Sequence, residues 1–163
     1  MQFTIKYLLA GETDILKDLL YEAIFIKENE KKPPQNIIYS PEIYIYIEDF
    51  GKENDFCFIA TVNGKAAGGI WARILSGTIK GFGNIDNSTP EIAIAVFEEY
   101  RKRGIGTALL KRMLQHLKEK DIKKVSLSVH KNNYAVKMYR ALGFTVISEK
   151  DKDYIMLLNL NRK

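Results

Sequence analysis

The apolar run Glu91-Ile92-Ala93-Ile94-Ala95-Val96-Phe97 leads through Arg101-Lys102-Arg103-Gly104-Ile105-Gly106 into a segment of helical periodicity, and this junction constrains the fold more than any other stretch of the chain. The run is short, apolar and partly β-branched, which suits a buried strand. From Ile105 the apolar side chains recur at Leu109, Met113, Leu114 and Leu117, with Lys111, Arg112, Gln115 and Lys118 on the opposite side. That spacing predicts an amphipathic helix. Gly104 and Gly106 therefore sit at a helix entrance, where the absence of Cβ lets a ligand approach the backbone and the first-turn N–H groups are free to donate to phosphate oxygens.

Two common phosphate motifs are excluded. The P-loop requires Lys-Ser/Thr after its glycine, and neither Gly104 nor Gly106 is followed by that pair. The dinucleotide fingerprint requires Gly or Ala where Leu109 stands. Taken alone, the hexapeptide reads equally well as a glycine turn with a solvated basic run. Downstream, Val125 to Val129 alternates like a strand, and Asn132-Asn133-Tyr134-Ala135-Val136-Lys137-Met138-Tyr139-Arg140-Ala141-Leu142-Gly143-Phe144 follows it.

Arg101-x-x-Gly104-x-Gly106 together with Asn132-x-x-Ala135-x-x-x-Tyr139-x-x-x-Gly143-Phe144 resembles the paired signature of the GNAT superfamily of acyl-CoA-dependent N-acyltransferases. The resemblance covers Glu91 to Phe144 without departure. It implies an α+β fold: a mixed, mostly antiparallel sheet of six or seven strands flanked by helices, with a splayed parallel strand pair at the cofactor cleft. It implies that acetyl-CoA is the co-substrate. The backbone at Ile94, Ala95 and Val96 would pair with the pantetheine arm. The turn from Arg101 through Lys102, Arg103, Gly104, Ile105 and Gly106 to Thr107 would hold the pyrophosphate, and Asn132 would contact the cofactor arm. Tyr139 would lie near the thioester sulfur as the general acid, since a phenol with an ordinary pKa near ~10 is protonated at neutral pH. The residues also have structural readings: Tyr139 falls on a core-facing stripe with Ala135, Val136, Met138 and Leu142, Asn132 is placed to cap a helix, and Gly143 to end one.

An amine acceptor must lose a proton before it attacks, so a base is needed. Glu91, at the start of the strand beside the cofactor, is the candidate; as a structural residue it would be a strand-end surface glutamate. Glu48, Asp49 and Asp86 are further carboxylates that could face a cationic acceptor. The function read from these residues is transfer of an acetyl group from acetyl-CoA directly to a primary amine, on a small molecule or a protein. The alternative is a non-catalytic acyl-CoA-binding sensor.

Other features bound the reading. With 46% hydrophobic residues in 163, the chain suits one domain spanning residues 1–163. Its single cysteine, Cys57, lies in an apolar run and reads as a buried thiol, and two histidines, His116 and His130, suggest no metal site. A net charge of +5 is modest and accompanies no nucleic-acid motif, so no nucleic-acid partner is expected. Neither a membrane-length apolar run nor a secretory leader is present, which predicts a cytoplasmic location. A homodimer is a further expectation.

The N-terminal half predicts a strand from Phe3 to Leu8, a helix from Asp14 to Ile26, a loop from Lys27 to Asn36, and a second helix from Ser40 to Asp49 with Pro41 in its first turn. The alternating Ile43 to Ile47 suits a strand as well. Phe56–Val62 and Lys65–Leu75 flank Asn63-Gly64, a type I′ hairpin signal. Ser76 to Pro90 is a long polar connection expected to border the acceptor site. Strands at Thr145–Glu149 and Tyr154–Leu160 close the sequence, and the last residues are expected to fray.

Overall fold

A computed structural model of the chain describes residues 2–161. The expected fraying at Arg162 and Lys163 lies outside those residues. Among the described residues, seven strands, β1 (Thr4–Tyr7), β2 (Phe56–Val62), β3 (Lys65–Arg73), β4 (Glu91–Val96), β5 (Lys124–His130), β6 (Thr145–Lys150) and β7 (Asp153–Asn159), form one sheet of order β1-β2-β3-β4-β5-β7-β6. The α-helices are α1 (Ile15–Ala23), α2 (Pro41–Tyr44), α3 (Ile105–Glu119) and α4 (Ala135–Ala141). Every neighbouring strand pair is antiparallel except β4–β5.

The hairpin between β2 and β3 turns at Asn63 and Gly64, whose φ angles of 51° and 79° are the positive values that an Asn-Gly pair tolerates best. Each face of the sheet carries a core. Leu109, Leu110, Met113 and Leu117 of α3 are fully buried against Phe58, Ile70, Val125 and Leu127 and their neighbours, joined by Tyr139 of α4. On the opposite face Leu16, Leu19 and Leu20 of α1 pack with Tyr46, Ile47, Ile59, Trp71 and Ala95. Burying each such side chain contributes about 1.5–3 kcal/mol, so the stripe from Ile105 to Leu117 alone anchors α3 firmly.

Two helices are shorter than their patterns predict. The first ends at Ala23, because Ile24 is extended (φ −70°, ψ 119°) and the chain turns away, with Tyr21 Oη donating to Pro33 O at 2.6 Å. A 3-10 turn over Gln35–Tyr39 then precedes α2, which spans only Pro41–Tyr44 of the expected Ser40 to Asp49. The cause is tertiary: Trp71 Nε1–H donates to Tyr46 O (3.1 Å), and an Arg73 Nη–H group donates to Ile45 O (3.0 Å) and Glu48 O (2.8 Å). Carbonyls drawn to side chains in this way leave the helical ladder. Arg73 is itself held by a buried ion pair with Asp55 at 2.9 Å.

Candidate active site

β4 and β5 share one register pair, Glu91 with Ser126, closed by Ser126 N–H donating to Pro90 O at 3.0 Å. Beyond it the strands part. Backbone groups alternate sides along a strand, and Phe97 N–H donates to Ala67 O at 2.9 Å, so Phe97 and Ala95 turn their polar groups toward β3 while Ile94 and Val96 turn theirs toward the gap. Of the three positions expected to meet a pantetheine arm, Ile94 presents an open edge. Val96 O accepts Arg101 Nε–H at 2.8 Å, and Ala95 is committed to β3.

The basic turn divides into two roles. Arg101 is a brace: besides Val96 it bonds Glu22 of α1 at 2.9 Å. Lys102 and Arg103 are exposed, and Gly104 takes φ +85° at the N-terminus of α3, with open space where its Cβ would point. The backbone N–H groups of residues 102–107 have no acceptor among the described residues. A run of free N–H groups at a 15-residue helix, flanked by two cations that form no ion pair among the described residues, matches what a pyrophosphate requires. Gly106 places this turn against Val96 and Met138, whose side-chain atoms lie 3.8 and 3.7 Å from its Cβ position.

Asn132 is exposed, and the cap of α4 comes from its neighbour: Asn133 Oδ1 accepts Ala135 N–H at 2.9 Å. The capping role considered for Asn132 thus belongs to Asn133. Asn132 N–H donates to His130 Nδ1 at 3.0 Å, and the His130 ring stacks on Phe25 at 4.7 Å, joining the end of β5 to the segment after α1.

Tyr139 is 6% exposed, packed edge-to-face on Phe144 at 5.7 Å. Burial pushes its pKa above the usual phenol range, so it keeps its proton throughout the physiological range and can donate but not act as base.

Glu91 is 2% exposed and faces the α1 side of the sheet, opposite to Tyr139; it is not the solvated strand-end residue that position alone allows. Its Oε2 accepts the Tyr46 hydroxyl and Gly83 N–H (3.1 Å). Its Oε1 is buried without a partner. Loss of hydration outweighs these two donors and pushes its pKa up to about 7.

The Ser76 to Pro90 connection closes over this carboxyl group. Phe82 N–H donates to Tyr46 Oη (2.9 Å) and Ser126 Oγ to Gly83 O (2.8 Å). Asp86 caps the loop's own Ser88 and Thr89 N–H groups and pairs with Lys124 at 3.1 Å. It is a loop organiser, and these donors hold its pKa below the carboxylate range. Glu48 and Asp49 are exposed, and neither bonds to Glu91. Beside the loop a cleft of about 270 Å³ is lined by Lys80, Gly81, Phe82, Ser128, Lys150, Asp153 and Ile155. The loop thus borders a cavity through Lys80, Gly81 and Phe82, and Glu91 is not part of its lining. Cys57 is buried, which raises its pKa and makes it a poor nucleophile.

Sequence reasoning missed Tyr46, Gly81 and Gly83 as partners of Glu91. The available signals were glycines at 81 and 83 in a loop eight to ten residues before the carboxylate, and an arginine, Arg73, ending an apolar strand.

Known proteins share the family and the fold of this chain. A model of the acetyltransferase (GNAT) family matches residues 20–144. An N-alpha-acetyltransferase of Sulfurisphaera tokodaii is 34% identical over 123 residues, covering 73% of this chain and 71% of that protein. The PaiA N-acetyltransferase from Thermoplasma acidophilum, solved in complex with coenzyme A, superimposes with a TM-score of 0.69 at 20% identity, covering 98% of this chain and 99% of the other. YncA from Salmonella typhimurium, solved with its cofactor acetyl-CoA, gives a TM-score of 0.71 at 16% identity over 100% and 96% of the two chains.

Proposed function

The chain belongs to the GNAT acetyltransferase family, and from that premise we propose that this acyl-CoA-dependent N-acetyltransferase modifies the α-amino group at the N-terminus of a protein or peptide. The observation that carries the reading is the parting of β4 from β5 at Glu91 and Ser126, with a buried carboxyl group of near-neutral pKa at the apex.

Lys102, Arg103 and the free N–H groups from Lys102 to Thr107 would bind the pyrophosphate, with Ile94 and Val96 along the cofactor arm and Asn132 at its side. Arg101 supports this surface through Val96 and Glu22, and Ala95 supports it through β3. When bound, acetyl-CoA supplies an acetyl thioester whose carbonyl carbon the amine attacks and whose sulfur departs as thiolate. Glu91 takes the ammonium proton from the α1 side of the gap, and Tyr139 donates to the departing sulfur from the α3 side. No covalent enzyme intermediate is needed. A non-catalytic sensor would have no use for this base.

Acid strength favours an α-amine. A base with pKa about 7 is about one unit weaker than an α-amine of pKa about 7.7–8.0, and more than three units weaker than a lysine of about 10.4. Proton transfer to Glu91 is therefore only slightly uphill from an α-amine and far more so from a lysine side chain. The named N-alpha-acetyltransferase relatives support the same choice. This reading treats residues 1–163 as one catalytic domain in the cytoplasm, without a nucleic-acid partner. Among the described residues no helix is long and apolar enough to cross a membrane, and no cluster of metal-binding side chains occurs.

The test is acetyl-CoA-dependent thiol release across peptides with free or blocked N-termini, polyamines and amino sugars. Release with free α-amino peptides that disappears on N-terminal blocking is the expected result; release only with lysine side chains or polyamines would reject the α-amine assignment. Tyr139→Phe is expected to lower kcat tenfold or more while KM for acetyl-CoA stays within about twofold, since only the donated proton is lost. Steady-state kinetics at saturating peptide separates the two parameters, and a loss confined to KM would remove Tyr139 as the donor.

A further inference from the structure

The two oxygens of Glu91 are used unequally. Oε2 accepts two donors, the Tyr46 hydroxyl and Gly83 N–H, whereas Oε1, equally buried, accepts none. An unpartnered buried acceptor costs about 1–3 kcal/mol, and folded proteins leave few of them. The loop lies directly against Oε1, an approach that only glycine allows: a Cβ on Gly81 would lie 2.0 Å from that oxygen.

Tyr46 is fixed along its whole length. Its carbonyl accepts Trp71 Nε1–H, the flanking carbonyls of Ile45 and Glu48 accept Arg73, its hydroxyl accepts Phe82 N–H, and its ring stacks on Phe82 with centroids 6.3 Å apart. It is a rigid post between β3 and the Ser76 to Pro90 loop, ending at the carboxyl group.

We propose that Tyr46 is a positioning residue for acetyl transfer: by holding Oε2 of Glu91 it presents Oε1 as the oxygen that takes the acceptor's proton. The proposal rests on the reading of Glu91 as the base. The groups around that carboxyl are few. Across β3 stands Arg73, whose guanidinium is occupied by Asp55 and two carbonyls. β5 presents Ser126, which bonds Gly83 O, and the loop contributes the N–H of Gly83. Among the described residues Tyr46 is therefore the only side chain bonded to the carboxylate.

The test is the pH–rate profile of Tyr46→Phe, which keeps the ring and removes the donor. A donor to a carboxylate favours its ionised form, so removing it raises the proton affinity of Glu91. The acid limb is expected to move to higher pH by about one unit, with kcat near neutrality about tenfold lower and KM for acetyl-CoA unchanged. A merely structural tyrosine would lower the melting temperature and leave the limb in place. A displaced limb supports the proposal, and an unmoved one overturns it. Glu91→Gln separates the two readings. If it abolishes the limb while Tyr46→Phe leaves it unmoved, Tyr46 has no positioning role; if Glu91→Gln retains the limb, Glu91 is not the base.

Discussion

Replacing Glu91 with glutamine is expected to make the protein more stable at pH 8 and slower at acetyl transfer by a factor of roughly 10²–10³. Both effects follow from one buried carboxyl group, whose pKa rises from 4.5 to about 7 because burial removes its hydration. The folded state therefore holds this proton more tightly than the unfolded chain does. Its contribution to stability is fully present below pH 4.5 and is lost as pH rises through about 7, a cost of about 3 kcal/mol at pH 8. Glutamine has the shape of the neutral acid and pays no ionisation cost at any pH. Urea unfolding at pH 4.5 and pH 8 checks this: the variant should match the parent at the lower pH and exceed it by up to about 3 kcal/mol at the higher. An equal difference at both pH values would show that Glu91 is not ionised at the expense of the fold.

Substituting Gly104 with valine is expected to weaken binding of acetyl-CoA by roughly 30- to 100-fold, about 2–3 kcal/mol, with kcat at saturation nearly retained. The reason is conformational and local. Gly104 has φ +85° and ψ 0°, a left-handed geometry that costs an L-residue about 1–2 kcal/mol and a β-branched one more. The fold itself has room, since nothing lies within 4 Å of the Cβ position. Relief of the strain would therefore be taken in the turn, tilting the N–H groups of residues 102–107. Calorimetry with coenzyme A measures the effect directly, and Gly104→Ala should fall between glycine and valine. Unchanged affinity in the valine variant would place the pyrophosphate elsewhere.

Legibility in the sequence followed the range of the interactions involved. The strand, glycine turn and helix from Glu91 to Glu119 are local devices, so periodicity and two glycines disclosed them. The hairpin at Asn63-Gly64 was legible for the same reason. The second helix was not, because Trp71 and Arg73, distant in sequence, take carbonyls that a continuing helix would have used. Arg101 shows a different limit. It counts as positive charge in any reading of the turn, yet its guanidinium is taken up by Glu22 and Val96, leaving Lys102 and Arg103 as the turn's exposed cations. The cap of α4 lay one residue from its expected place because adjacent asparagines compete on equal chemical terms and only backbone geometry chooses Asn133 over Asn132.

By itself the sequence determined the order of strands and helices, the position of the glycine turn and the family to which the chain belongs, all carried by contacts between residues near one another or by spacing that any such chain repeats. Tertiary structure alone decided the environment of Glu91. A glutamate at the head of a strand is an ordinary surface residue until Tyr46, Gly81 and Gly83, brought from other parts of the chain, remove its water and leave one oxygen unpaired. Proton affinity depends on that solvation and not on residue type, so the chemistry of the carboxyl group came into being only when the loop closed over it.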